Sequence, residues 1–201
     1  MIEPKEYLGG VNGVPQFNDR KEMWETLKVT RVESHSPSVV EYINSLKKYY
    51  VNGSVKYECF SLGESEVLDW YCSRNQLKEL LFFWKVWELP EISNTLKINE
   101  IDEDSNKAFE WSSPFILGGS LAWVLHNGGA YEKPTWSGSE SKNLGDQAAS
   151  DLIENDYENT LVFDSGKAWC SFFYDVAWDS TWVVLNKEKR LLHIIMATDT
   201  D

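Results

Sequence analysis

The stretch from Thr160 onward constrains the fold most. Thr160–Asp164, Ala168–Trp178, Thr181–Asn186 and Leu191–Ala197 are runs of branched and aromatic residues, each reading as a strand. Asp179-Ser180 is a tight connection, and Asn186-Lys-Glu-Lys-Arg190 a longer one. Connections this short join antiparallel neighbours, so the expected product is a β-meander. Strands gathered at one end of a chain, after segments with helical character, indicate an α+β fold and argue against a doubly wound parallel sheet. A chain of 201 residues can bury most of its surface in one core. The sequence therefore predicts a single α+β domain over residues 1–201, its C-terminal antiparallel meander packed against helices.

The earlier segments supply those helices. Ser36 is placed to cap a helix over Pro37–Tyr50, with Pro37 in its first turn, a stripe of Val39, Ile43, Leu46 and Tyr50, and Asn52-Gly53 as its stop. Ser54–Phe60 reads as a strand. Glu64–Ser73 reads as a helix, Leu80–Glu88 as a strand by its alternation, and Thr95–Ile101 as another strand. Glu100–Asp104 is an acidic, solvated loop. Pro114–Asn127 is a short buried helix closed by Gly128-Gly129, and Glu140–Asn155 an amphipathic helix with Leu144, Ala148, Leu152 and Ile153 inward. The first thirty or so residues, with Gly9-Gly10, Gly13 and Pro15, read as an irregular arm holding one short element.

Charge narrows the partners. The formal net charge is −13, and acids exceed bases by six up to Trp111 and by seven beyond it, so the excess is no acidic tail. A field of that sign disfavours nucleic acid and anionic membrane surfaces, and favours a basic protein or cations. No run approaches the roughly 20 apolar residues of a membrane span, and the N-terminus has no signal-peptide pattern. Cys59, Cys72 and Cys170 form no CxxC pair, so neither a zinc site nor a disulfide framework is indicated, and a reducing cytoplasm is the expected setting.

Catalytic signatures are missing. There is no GxGxxG after a strand, no GxxxxGK[ST], no HExxH and no GxSxG, so no cofactor and no metal is expected and the enzyme reading is the weaker one. Gly118-Gly119 and Gly128-Gly129 read as helix punctuation. His35, His126 and His193 stand far apart. His126 suits a helix C-terminus, and His193 lies in an apolar strand where it would need a carboxylate in reach to act as a base.

Two features remain as candidate binding residues. Within the strand expected over Ala168–Trp178, Asp175 and Ala177 would face one way and Val176 and Trp178 the other, with Asp179 at the turn. A carboxylate buried there must be paired, or it shifts its pKa or holds a cation. The second feature is aromatic: Trp169, Phe172, Phe173, Tyr174, Trp178 and Trp182 crowd together, so either both faces of the sheet are covered or one presents aromatics to a partner. The residues nominated for binding are Trp169, Tyr174, Asp175, Trp178, Asp179 and Trp182, with Asp151, Glu154 and Asp156 from a stretch that has six acids and no base between Asn143 and Gly166.

The segment Lys167-Ala-Trp-Cys-Ser-Phe-Phe-Tyr-Asp-Val-Ala-Trp-Asp-Ser-Thr-Trp, with the Thr198-Asp-Thr-Asp ending, resembles small bacterial proteins of unassigned function over about the last third of the chain. In composition the chain is also similar to immunity proteins of bacterial toxin systems, which are small, acidic, cytoplasmic and aromatic-rich. That likeness implies a non-catalytic acidic module holding a basic protein. The alternatives are a small-molecule or carbohydrate-binding protein or hydrolase using clustered aromatics and carboxylates (Asp175, Asp179, His193), and a structural subunit of a homo-oligomer.

Overall fold

Thr181–Asn186 and Leu191–Ala197 are almost continuous apolar runs, the pattern of strands buried on both faces. The computed structural model, which describes residues 4–33 and 35–201, has that arrangement. Strands β1 (Val29–Val32), β2 (Ser54–Leu62), β3 (Glu110–Ser112), β4 (Thr160–Ser165), β5 (Ser180–Asn186) and β6 (Leu191–Thr198) form one antiparallel sheet in the order β1-β2-β6-β5-β4-β3. The expected α+β class holds, and β4, β5 and β6 are its antiparallel C-terminal sheet neighbours.

Alternation sends side chains to two separate cores. Val183, Leu185, Leu192, Ile194 and Met196 face a layer made by α1 (Phe17–Thr26), α3 (Glu66–Ser73), α4 (Phe82–Glu88) and α5 (Pro90–Leu96). Trp182, Val184, Ile195 and Ala197 face α2 (Pro37–Tyr49), α7 (Pro114–Asn127) and α8 (Gly138–Leu152). A short α6 (Ser105–Ala108) precedes the edge strand β3. The first core is aromatic. Trp87 stacks on Trp169 at 4.4 Å between ring centroids, and Phe83 on Phe109 at 4.5 Å. Each such side chain contributes roughly 1.5–3 kcal/mol by leaving water.

Local chemistry explains the second layer. α2 starts at Pro37 and buries Val39, Tyr42, Ile43, Leu46 and Tyr49. Ser36 holds the N-cap position, but its hydroxyl donates to Asp151 and accepts no helix N–H. The turn after α2 needs Gly53, because a Cβ there would lie 1.8 Å from the Thr198 carbonyl oxygen. α8 opens with a capping box: Ser137 Oγ accepts from Glu140 N, and Ser137 N donates to Glu140 at 2.7 Å. These hydrogen bonds, the backbone one first, hold the Glu140 carboxyl below its ordinary range.

Several expectations are corrected. Leu80–Glu88 is no strand: a 3₁₀ turn over Leu77–Leu80 leads into α4, whose buried residues Phe82, Phe83, Val86 and Trp87 follow helical spacing. The alternation in Leu80, Phe82, Trp84 and Val86 was a by-product of a run apolar at most positions. Thr95 and Leu96 end α5, and the residues to Ile101 are irregular. Ala168–Trp178 is an irregular segment and has no strand partner. Consecutive Trp169 and Cys170 are both buried and Asp175 is left-handed (φ 59°), so Asp175 and Ala177 do not share a strand face. The N-terminal arm holds both α1 and β1, and the stretch over residues 1–3 lies outside the described residues. Gly118 and Gly119 sit inside α7, whereas Gly128 ends it at φ 66°.

Candidate binding surface

The nominated aromatics build the interior. Trp169 is 1% exposed, and its Nε1–H donates to Thr181 Oγ1 at 2.9 Å. Trp182 is equally enclosed in the opposite core and donates from Nε1 to Ser120 Oγ on α7 at 2.9 Å. Both indoles are thus anchored by a hydrogen bond as well as by packing. Trp178 is half-buried against the second core, and Tyr174 and Asp175 are exposed on the loop between β4 and β5. As a surface for a partner, Trp169 and Trp182 are withdrawn.

The nominated acids are engaged within the chain. Asp151 accepts from Ser36 and Ser38 at the start of α2. Glu154 pairs with Lys189 at 2.7 Å. Asp156 accepts from the Asn159 and Asn186 side-chain amides, each at 3.2 Å. Each acid fixes one element to another.

Asp179 is buried, and so is Asp199, which was not nominated. Asp179 accepts from Thr198 Oγ1 at 2.5 Å and from the Val176 N–H at 3.1 Å. Asp199 accepts from the Asn52 N–H at 2.9 Å and the Ala130 N–H at 2.7 Å. Tyr50 lies close by, and burial first, then Asp199 and Asp179, raises its phenol. These carboxylates have their oxygens occupied by the chain's own donors, so they clamp the end of the sheet to the α2–β2 turn and to the segment after α7.

His193 belongs elsewhere. It stands five residues before Thr198 on β6, roughly 16 Å away at the rise of a strand. Its Nδ1 lies 3.0 Å from Tyr57 Oη, and its Nε2 3.9 Å from Cys59 Sγ. Burial pushes the imidazole down to about 4, with Glu154 opposing and His35 reinforcing that shift. Asp175, Asp179 and His193 therefore do not converge on one cavity. Burial also pushes Cys59 and Cys72 up to about 12 and Cys170 up to about 11, which leaves all three as unreactive thiols. Among the described residues, no three His, Cys, Asp or Glu side chains are grouped to hold a metal ion.

The surface that stands out was missed from sequence. α7 contains no Asp, Glu, Lys or Arg. Its inner side meets α8 through glycines: a Cβ on Gly145 would lie 2.6 Å from the Gly118 carbonyl oxygen and the Ala122 nitrogen. Its outer side faces water with Phe115 (75% exposed), Ile116 (58%) and Trp123 (67%), and Gly119 opens the space between them. Phe115 stacks on Tyr157 at 4.8 Å, which extends the patch onto the loop after α8. Asp146 on α8 lies against Gly118 of this helix and is paired with Lys142, and Glu158, next to Tyr157 in sequence, is exposed. A helix apolar all round is normally buried all round. That signal was legible in Pro114–Asn127, and the sequence expectation of a buried helix spent it on the interior alone.

No helix of the described residues is long and apolar enough to cross a membrane. Comparison with known proteins finds no matching family model, no matching curated protein and no matching solved structure.

Proposed function

We propose that this protein is a non-catalytic binding module that holds a basic protein, with the outer face of α7 as the contact. The observation that carries this reading is a charge-free helix in a chain of net charge −13, exposing Phe115, Ile116 and Trp123 together. Monomeric proteins rarely leave large apolar side chains contiguous on the surface, and buried aromatics dominate binding energies. The net charge of the chain selects the partner's sign. Lys and Arg on the partner would be drawn by that field and by the exposed Glu158, whereas a second copy of this acidic chain would meet like charge. The setting is a reducing cytoplasm, which suits three free buried thiols. Such a module would act as a toxin-system immunity protein does, by occupying a basic surface.

Tagged protein incubated with its host lysate tests the reading. The expected result is a basic protein retained in stoichiometric amount, released by high salt, and lost with Trp123→Ala at a cost of about 30-fold or more in affinity. Retention unaffected by Trp123→Ala and Phe115→Ala would overturn it. So would a homodimer that Trp123→Ala dissociates, since the face would then be filled by the chain itself.

A further inference from the structure

A cleft lies in the first layer, between α1 and α4, reaching from the 3₁₀ turn to the start of α5. Its volume is about 550 Å³, within the range of small-molecule sites. Phe17, Trp24, Leu80, Leu81 and Leu89 line it with apolar surface. Phe17 is 70% exposed and Leu81 43%, so the walls are open to an incoming molecule. Trp24 is fixed in the wall by its Nε1–H, which donates to the Leu80 carbonyl at 3.3 Å, and by packing on Phe82. Leu81 closes the 3₁₀ turn in the left-handed region at φ 56°, its N–H donating to the Leu77 and Lys78 carbonyls, and leads into α4.

The charges of the cleft are unlike those of the chain. Three bases, Arg20, Lys21 and Lys85, line it with two acids, Glu25 and Glu88. The acids are taken: Lys85 pairs with Glu88 at 2.7 Å, and Lys21 with Glu25 at 3.8 Å. Arg20 is left over. Among the described residues it makes no ion pair; its Nη1–H donates weakly to the Glu79 carbonyl at 3.4 Å, and its Nε–H is buried without an acceptor. A guanidinium prefers a bidentate carboxylate, and its outer Nη groups, one of them held only by the long, exposed Glu79 contact, are the donors left to an incoming ligand. In a chain with 32 Asp and Glu, an arginine without a carboxylate beside an apolar cleft marks a place where the acceptor comes from outside.

We infer that this cleft binds an amphipathic monocarboxylate, an alkyl chain ending in one carboxylate, such as a medium-chain fatty acid. The alkyl chain lies against Trp24, Leu80, Leu81 and Leu89, and the carboxylate accepts from Arg20. Two terms favour this occupant: the walls reward apolar area, and the unpaired base rewards a single negative charge. A cationic amphiphile would bring its ammonium to Arg20 and lose the second term. This site is independent of the α7 face, which lies in the opposite layer.

The test is calorimetric titration of the purified full chain with sodium decanoate below its micelle concentration, beside decanol and decylamine. Decanoate is expected to bind one per chain and to quench indole fluorescence, with decanol weaker by about tenfold or more and decylamine weaker still. Arg20→Gln should weaken decanoate to the level of decanol with an unchanged melting temperature. Lys21→Gln should stay within about twofold. Leu81→Glu, which places a charge at the exposed rim, should abolish binding of decanoate and decanol alike. Trp123→Ala should leave decanoate affinity unchanged, so failure of the α7 reading and failure of this one are told apart. Absence of decanoate binding, equal affinity for decanoate and decanol, or indifference to Arg20→Gln would each overturn the inference.

Discussion

The two faces of the sheet solve different problems with the same residue types. The first face is closed with stacked aromatics: Trp87, Trp169, Phe83 and Phe109 all lie within van der Waals range of a neighbouring ring. The second face is closed by Val39, Tyr42, Ile43, Leu46 and Tyr49 of α2 and by aliphatic side chains of α7 and α8; His193 on this face is held neutral, while Asp179 and Asp199 at the end of the sheet are matched to local donors. Helices on both sides turn apolar side chains outward, Phe17 on α1 of the first side among them, but among the described residues only α7 groups three, Phe115, Ile116 and Trp123. Aromatic content alone therefore says nothing about binding: the tryptophans of one face are structural, and Trp123 on the other side has no structural employment.

That contrast is open to attack by substitution. Trp169→Ala should cost about 3–5 kcal/mol in urea unfolding, since it empties the centre of the aromatic layer and orphans Thr181. A loss below about 1 kcal/mol would mean that this layer is not the tighter of the two. Asp199→Ala should cost about 2–4 kcal/mol in the same assay, because two buried N–H groups, on Asn52 and Ala130, lose their acceptor. Should Asp199→Asn keep most of the stability, hydrogen bonding outweighs charge at this clamp.

A smaller effect follows from His193. Its folded value of about 4 lies below the ordinary 6.5, so the unfolded chain takes up a proton that the folded chain refuses between those limits. The contribution is complete above about pH 6.5 and is lost as pH falls towards 4. It amounts to about 1–3 kcal/mol, discounted for the partly exposed ring. Urea midpoints between pH 7 and pH 5 should fall more in the wild type than in His193→Gln; parallel curves would show that the ring is solvated in the native state. Smallest of all, Trp123→Ala should move stability by less than about 0.5 kcal/mol, as an exposed side chain does. A large loss there would make α7's outer face part of the core and remove it as a contact.

Much of the fold was legible, and the reasons differ by element. α2, α7 and α8 announced themselves through a cap, a proline, glycines or a clear apolar period, whereas α3 lay in a run whose periodicity left helix and strand both open. β5 and β6 were legible because their length and short link leave few alternatives. Leu80–Glu88 failed because a run apolar at most positions satisfies both periods at once. Ala168–Trp178 failed because its aromatics are buried through loop geometry, anchored by Trp169 O accepting from Asp102 N and by Ser171 N donating to Asn99 O, and no local pattern encodes those partners. The candidate surface was missed for a simpler reason. Whether a tryptophan is inside or outside depends on which side of its helix the sheet lies, and α7 is apolar on every side.

The strand order carries a consequence for synthesis. β6 sits between β2 and β5, yet it leaves the ribosome after the other five strands of the sheet. Until it emerges, β1–β2 and β3–β4–β5 are two fragments whose inner edges both lack a partner, and the nascent chain must keep them from pairing with other chains. β6 then joins both fragments in one step, pairing along its length with β2 and β5. Folding of this topology is therefore late and non-local, and a ribosome stalled before Leu191 would hold an aggregation-prone pair of half-sheets.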